Sequence, residues 1–151
     1  MDSKDKEEIF RHIPHRPPFL WVDKIVAIEA GSITTEKHIP VDLEVFQGHY
    51  PNYPILPGVL LCEAVFQSGA ILIAHDQTAD GTLPAGIPVL TRIANAKFKR
   101  EIRPGETITI QVAISEIVGS AWFLKGRALV NEKKALTIEF CCKLLEDAQQ
   151  E

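Results

Sequence analysis

The chain has 151 residues, 46% apolar and 24% charged, with a formal net charge of −4. That length suits one domain over residues 1–151 with a real core, and the acidic balance argues against a nucleic-acid binder. No apolar run reaches the roughly 18–20 residues of a membrane span without a polar break, because the longest, 59–74, holds Glu63, Gln67 and Ser68. Residues 1–8 alternate acidic and basic side chains with no apolar centre, unlike a secretory signal. Cys62 stands alone and Cys141 and Cys142 are adjacent, so neither a disulfide framework nor zinc spacing emerges. A reducing, cytoplasmic setting is expected.

In chain order, residues 3–11 can form a short helix with Ser3 as N-cap and Ile9 and Phe10 as its apolar side. Pro14, Pro17 and Pro18 then forbid regular helix. Residues 19–29 and 33–39 are β-rich and read as strands separated by a turn at Ala30-Gly31-Ser32. Residues 46–58 carry three prolines and two glycines and predict a rigid irregular loop of the kind that often bears function. A helix follows from about Pro57, and its body, 59–75, is apolar nearly all round, the mark of a helix buried on every side. A loop over 76–86 leads to four more strands, 89–98, 107–117, 121–130 and 135–145, the last two joined by a hairpin loop at Asn131-Glu132-Lys133. One long apolar helix and about six mostly antiparallel strands predict an α+β fold. The economical arrangement wraps a curved antiparallel sheet around the helix, which is the hotdog fold.

Glu63 lies one turn into that apolar helix. A carboxylate there is either desolvated, which disfavours its charged form and suits a general acid, or it emerges at a domain or subunit surface and is solvated. His49 lies in the proline-rich loop just before the same helix, and histidine is the usual general base near neutral pH, though a lone histidine is more often structural. His12, His15, His38 and His75 compete on composition, but none makes metal-ligand spacing with the acidic residues. His38 reads as a surface residue on a strand and His75 as a capping residue at the helix end. Gly58 falls at the helix N-terminus, where free N–H groups and the positive dipole end suit a carbonyl oxygen gaining charge; the plainer reading is a turn glycine. No phosphate loop or dinucleotide fingerprint is present, and no cofactor or metal is expected.

The stretch Gly48-His49-Tyr50-Pro51, then Pro54-Ile55-Leu56-Pro57-Gly58-Val59-Leu60, then Glu63-Ala64-Val65-Phe66-Gln67, resembles the signature of the β-hydroxyacyl-[acyl-carrier-protein] dehydratases of type II fatty-acid synthesis, with the same His-to-Glu separation. Pro14-His15-Arg16 with Pro18-Phe19-Leu20 and Val22-Asp23 resembles that family's N-terminal block. Lys97-Phe98-Lys99-Arg100 and Arg103-Pro104-Gly105-Glu106 resemble its later basic strand and turn. The resemblance implies that His49 takes the α-proton, Glu63 protonates the departing β-hydroxyl and the Gly58 N–H polarises the thioester carbonyl. It implies supporting or substrate-lining places for Gln67, Tyr50, Ile55 and Val59. It further implies a dimer, with the possibility of a trimer of dimers, in which His and Glu come from opposite subunits.

Tyr50 where phenylalanine is usual, Asn52 for glycine, Pro17 for tyrosine and Phe66 for alanine depart from the pattern and bear on tunnel shape. Glutamate rather than aspartate at position 63 favours plain dehydration over the isomerising branch. Lys97, Lys99, Arg100 and Arg103, with Arg16 and Arg92 as possible extensions, form a basic cluster on an acidic chain. The cluster either docks the acidic acyl carrier protein or is a lysine-bearing edge strand guarding against aggregation. The alternatives are a polyketide or specialised-lipid dehydratase, an acyl thioesterase on the same fold, and a non-catalytic acyl-binding module.

Overall fold

A computed structural model describes residues 2–81 and 86–146. Among the described residues are two helices and six strands: α1 Ser3–His12, β1 Lys24–Glu29, β2 Ser32–His38, α2 Gly58–Gln77, β3 Ile87–Phe98, β4 Thr107–Val118, β5 Ala121–Val130 and β6 Lys133–Leu145, with one 3₁₀ turn at Glu44–Gln47. All strand pairs are antiparallel, in the order β1-β2-β4-β5-β6-β3. Register shifts in β1, β3, β4 and β6 mark bulges, which bend strands and increase twist. The sheet curves around α2, and this is the hotdog fold.

The helix has no polar face to offer to solvent, and most of it is enclosed. It is 20 residues long with a mean hydropathy of 1.5, enough by length and composition to cross a membrane, yet 67% of that stretch is buried within the protein. Leu61, Val65, Ile71, Leu72 and Ile73 are essentially inaccessible. Each such side chain contributes about 1.5–3 kcal/mol when fully buried. The covering face is written as alternation along β5, where Trp122, Leu124, Gly126, Ala128 and Val130 are buried in turn.

Two glycines let helix and sheet approach. A Cβ on Gly69 of α2 would lie 2.7 Å from Phe140 Cζ, and one on Gly126 of β5 would lie 2.3 Å from Val65 Cγ1. Two buried hydroxyls are also satisfied across the layers. Ser68 donates to the Ala64 carbonyl at 2.8 Å, so Thr35 donates to Ser68, also at 2.8 Å.

Several boundaries differ from the sequence reading. The N-cap of α1 is Asp2, whose carboxylate accepts from the Lys4 N–H at 3.3 Å, and Ser3 is the first helical residue. The strand expected over 19–29 begins only at Lys24, because residues 19 and 21 spend main-chain groups on a helix side chain described below. The turn between β5 and β6 is shorter than expected. Asn131 and Glu132 form it in the left-handed region, with φ of 50° and 66°, and Lys133 already belongs to the strand. Helix α2 runs on to Gln77, and of the loop expected over 76–86, residues 82–85 lie outside the described residues.

The helix–sheet contact at Gly126 sets a test. Gly126→Ala should lower the free energy of unfolding by about 1–3 kcal/mol through overpacking against Val65, measured by urea denaturation. An unchanged midpoint would show that this contact has room to spare.

Candidate active site

The loop that brings His49 to α2 is anchored at both ends. The 3₁₀ turn closes with the His49 and Gly48 N–H groups donating to the Val45 carbonyl at 3.0 and 3.2 Å. At the other end the Leu56 N–H donates to the carbonyl of buried Ile102 at 2.8 Å. Pro57 is the N-cap of α2, and its carbonyl accepts from Leu60 and Leu61. Gly58 is therefore the first helical residue, and the first N–H groups of a helix have no partner inside it.

His49 is half-buried, and its Nδ1 lies 3.0 Å from the Ile55 carbonyl oxygen. A carbonyl can only accept, so Nδ1 carries the proton and Nε2 presents a lone pair. Ile55 thus supports the site through its main chain. Tyr50 packs its ring 4.6 Å from that of His49, holds a left-handed φ of 51° and is well exposed. Val59, on the first turn of α2, points outward and is 76% exposed.

Glu63 is less enclosed than an all-apolar helix suggests, with about a quarter of its side chain accessible (24%). Its Oε1 accepts from Gln67 Nε2 at 3.1 Å, one turn on. Gln67 is itself buried and fully engaged: Oε1 accepts the Trp21 N–H at 2.8 Å and Nε2 also donates to the Phe19 carbonyl at 3.0 Å. These are the main-chain groups that a strand over 19–23 would have used. His15 brings its Nε2 to 3.8 Å from Glu63 Oε1. Sequence reasoning placed His15 in a motif block without a role; the only signal was the Pro14-His15-Arg16 triplet.

Within one chain His49 and Glu63 have no hydrogen-bond partner in common. His49 faces the 50–55 loop, whereas Glu63 faces the segment running from His15 to Trp21.

Gly58 opens onto a pocket of about 640 Å³ lined also by Ile55, Leu61, Phe98, Lys99, Arg100 and Arg103. The Phe98 ring covers the glycine so closely that an added Cβ would sit 2.8 Å from it. The basic cluster is divided. β3 ends at Phe98, so Arg103 does not continue the alternation of Lys97 and Lys99. Lys99, Arg100 and Arg103 share the pocket, while Lys97 lines a separate hollow with Lys125 and Glu139. Arg103 is also engaged at the pocket mouth: its Nη2 donates to the Tyr53 hydroxyl at 3.0 Å and lies 3.6 Å from Glu101. The Tyr53 hydroxyl donates to Glu101 at 2.7 Å, and that carboxylate pushes the phenol above its ordinary value, against the opposing pull of Arg103. Arg16 is committed to main-chain carbonyls and Arg92 lines a third hollow, so neither extends the mouth. Among the described residues no group of three His, Cys, Asp or Glu side chains could hold a metal ion.

The profile of the FabA-like domain matches residues 13–139, a span that holds His15, His49, Gly58, Glu63 and Gln67. The chain belongs to the FabA-like family. Within it, the 3-hydroxyacyl-[acyl-carrier-protein] dehydratase FabZ of Campylobacter hominis is 36% identical over 143 residues, covering 94% of this chain and 98% of the relative. The enzyme of the same name from Clostridium kluyveri is 40% identical over 130 residues, covering 85% and 88%. Among solved structures, the dehydratase heterocomplex ApeI:P from Xenorhabdus doucetiae superposes with a TM-score of 0.78 at 12% identity, covering 94% and 93% of the two chains. The PaaI protein of Escherichia coli superposes with a TM-score of 0.63 at 12% identity, covering 79% and 80%. At such identities the superpositions establish the shared fold. Family membership rests on the profile and the FabZ sequences.

Gln67 ties this FabA-like site to the chain in front of β1. Gln67→Leu should strand the buried Trp21 N–H and free the partly exposed Phe19 carbonyl, costing about 1–3 kcal/mol. Amide exchange should show the Trp21 N–H losing protection before the β4–β5 core does; unaltered protection would show that Gln67 is not its anchor.

Proposed function

We propose that the chain is a hydro-lyase that dehydrates 3-hydroxyacyl thioesters on acyl carrier protein to trans-2-enoyl thioesters in fatty-acid synthesis. It works as one hotdog domain over residues 1–151, in the cytoplasm. The observation that carries this reading is the 3.0 Å contact between His49 Nδ1 and the Ile55 carbonyl oxygen, which makes Nδ1 the donor and leaves Nε2 free as the base in a FabZ-like sequence frame. His49 Nε2 takes the α-proton. The enolate charge that develops on the thioester oxygen is met by the Gly58 N–H at the positive end of α2. Glu63 gives its proton to the β-hydroxyl, the C–O bond breaks and water leaves. The turnover leaves a proton on His49 and a carboxylate at Glu63, and one proton passing from the first to the second resets the site. Every proton has a side-chain carrier, so the reaction as written calls for no cofactor.

His49 and Glu63 come from opposite subunits in this reading. β3 is a 12-residue edge strand, paired on one side only with β6. Along it Val89, Leu90, Ile93 and Phe98 are exposed. An unpaired apolar edge of that length invites pairing with another chain. A second copy on β3 would close the Gly58 pocket beside Phe98, and such dimers could assemble further as a trimer.

His49→Ala and Glu63→Gln should each lower kcat by at least about 100-fold. Mixing the two inactive proteins should restore turnover, because one site of each heterodimer carries neither lesion. Near-normal turnover by either single variant would overturn the mechanism, and well-mixed heterodimers without recovery would overturn the shared site. Enoyl absorbance without free thiol distinguishes dehydration from thioester hydrolysis.

Carrier docking falls to Lys99 and Arg100, since Arg103 is held by Tyr53 and Glu101. Replacing both with Ser should lower kcat/KM on carrier-bound substrate by on the order of ten-fold at low salt and flatten its salt dependence. A pantetheine thioester should be little affected; equal losses on both substrates would remove the docking role.

A further inference from the structure

We infer that His15 is a positioning residue for the Glu63 carboxyl, a role that rests on the reading of Glu63 as the acid. The segment carrying it is pinned on both sides. Arg16 donates to the carbonyls of Ile13 at 2.8 Å and His15 at 2.7 Å, with its guanidinium 3.9 Å from the centre of the Phe10 ring. Six residues beyond His15, the Trp21 N–H is held by Gln67. The His15 backbone is thereby fixed above α2, and its ring reaches the helix at Glu63.

Two features of the ring define what it does. Its Nδ1 is buried and has no hydrogen-bond partner, while its Nε2 faces Glu63 Oε1 at 3.8 Å. Orphaned buried donors are rarer than under-satisfied acceptors. Nδ1 therefore bears the lone pair and Nε2 the proton, directed at the carboxyl. At 3.8 Å this contact is electrostatic, and such contacts commonly shorten when substrate binds. Gln67 Nε2 donates to the same oxygen. Two N–H groups aimed at Oε1 make it the accepting oxygen and leave Oε2 to carry the transferable proton. His15 and Gln67 thus set the rotation of the carboxyl about its last torsion and the face that gives up the proton.

Steady-state kinetics on variants that retain the wild-type unfolding temperature tests this. His15→Leu removes the N–H and should lower kcat about ten-fold with KM within two-fold, since a misoriented acid affects the chemical step. His15→Gln, which returns an N–H donor, should recover kcat to within about three-fold of wild type. Full kcat in the leucine variant, or a glutamine variant no better than leucine, would overturn the role. If either variant fails to fold, ¹⁵N-histidine NMR of the unaltered protein still decides. A bare Nδ1 and protonated Nε2 on His15 support the inference, and the opposite tautomer overturns it. Turnover by Glu63→Gln would instead sink the acid assignment itself. An inactive Glu63→Gln beside a fully active His15→Leu would sink the positioning role alone.

Discussion

A helix with no polar side has to be enclosed, and the enclosure of α2 organises everything around it. Five strands touch the helix and the sixth completes the sheet's far edge. The polar groups that α2 carries into this environment are each answered. Ser68 meets Thr35, Gln67 meets Phe19, Trp21 and Glu63, and Glu63 keeps contact with solvent. The element that forms the core is thus also the element that delivers a carboxyl group to the surface. A site built on such a helix inherits its rigidity.

The fold was largely legible because its signals were periodic. The alternation along β5 and the unbroken apolar run of α2 each admit one economical packing, and the two together predict the wrapped sheet. What the sequence reading missed was of another kind. The strand expected from Phe19 stops short because a single glutamine 46 residues after Trp21 takes its main-chain hydrogen bond, and long-range competition of that sort leaves no local trace. Ser3 and Asp2 are both good N-caps, and local propensity does not separate them.

The motif frame singled out His49, Gly58 and Glu63 as the candidate site, but not the divisions around them. The parity argument that put Lys97 with Arg103 assumed a continuing strand, and the chain leaves the sheet at Phe98. Nor could spacing reveal that Arg103 is tied to Tyr53 and Glu101, or that His15 approaches Glu63 across the helix. These are meetings of the 13–21, 49–57 and 99–106 segments, and they exist only once the helix has gathered those segments around its first turns.

The cysteines carry one more consequence. All three are buried and unpaired. Burial raises the Cys62 thiol above its ordinary value and pushes Cys142 up to about 12. A thiol needs its thiolate to attack a carbonyl, and burial disfavours that charged form. Cys62 directly precedes Glu63 in the chain, and in the proposed reaction a reactive sulfur near that carboxyl would compete for the thioester by exchange. In that reading, sealing the sulfur in the core leaves the acyl chain on the carrier that brought it.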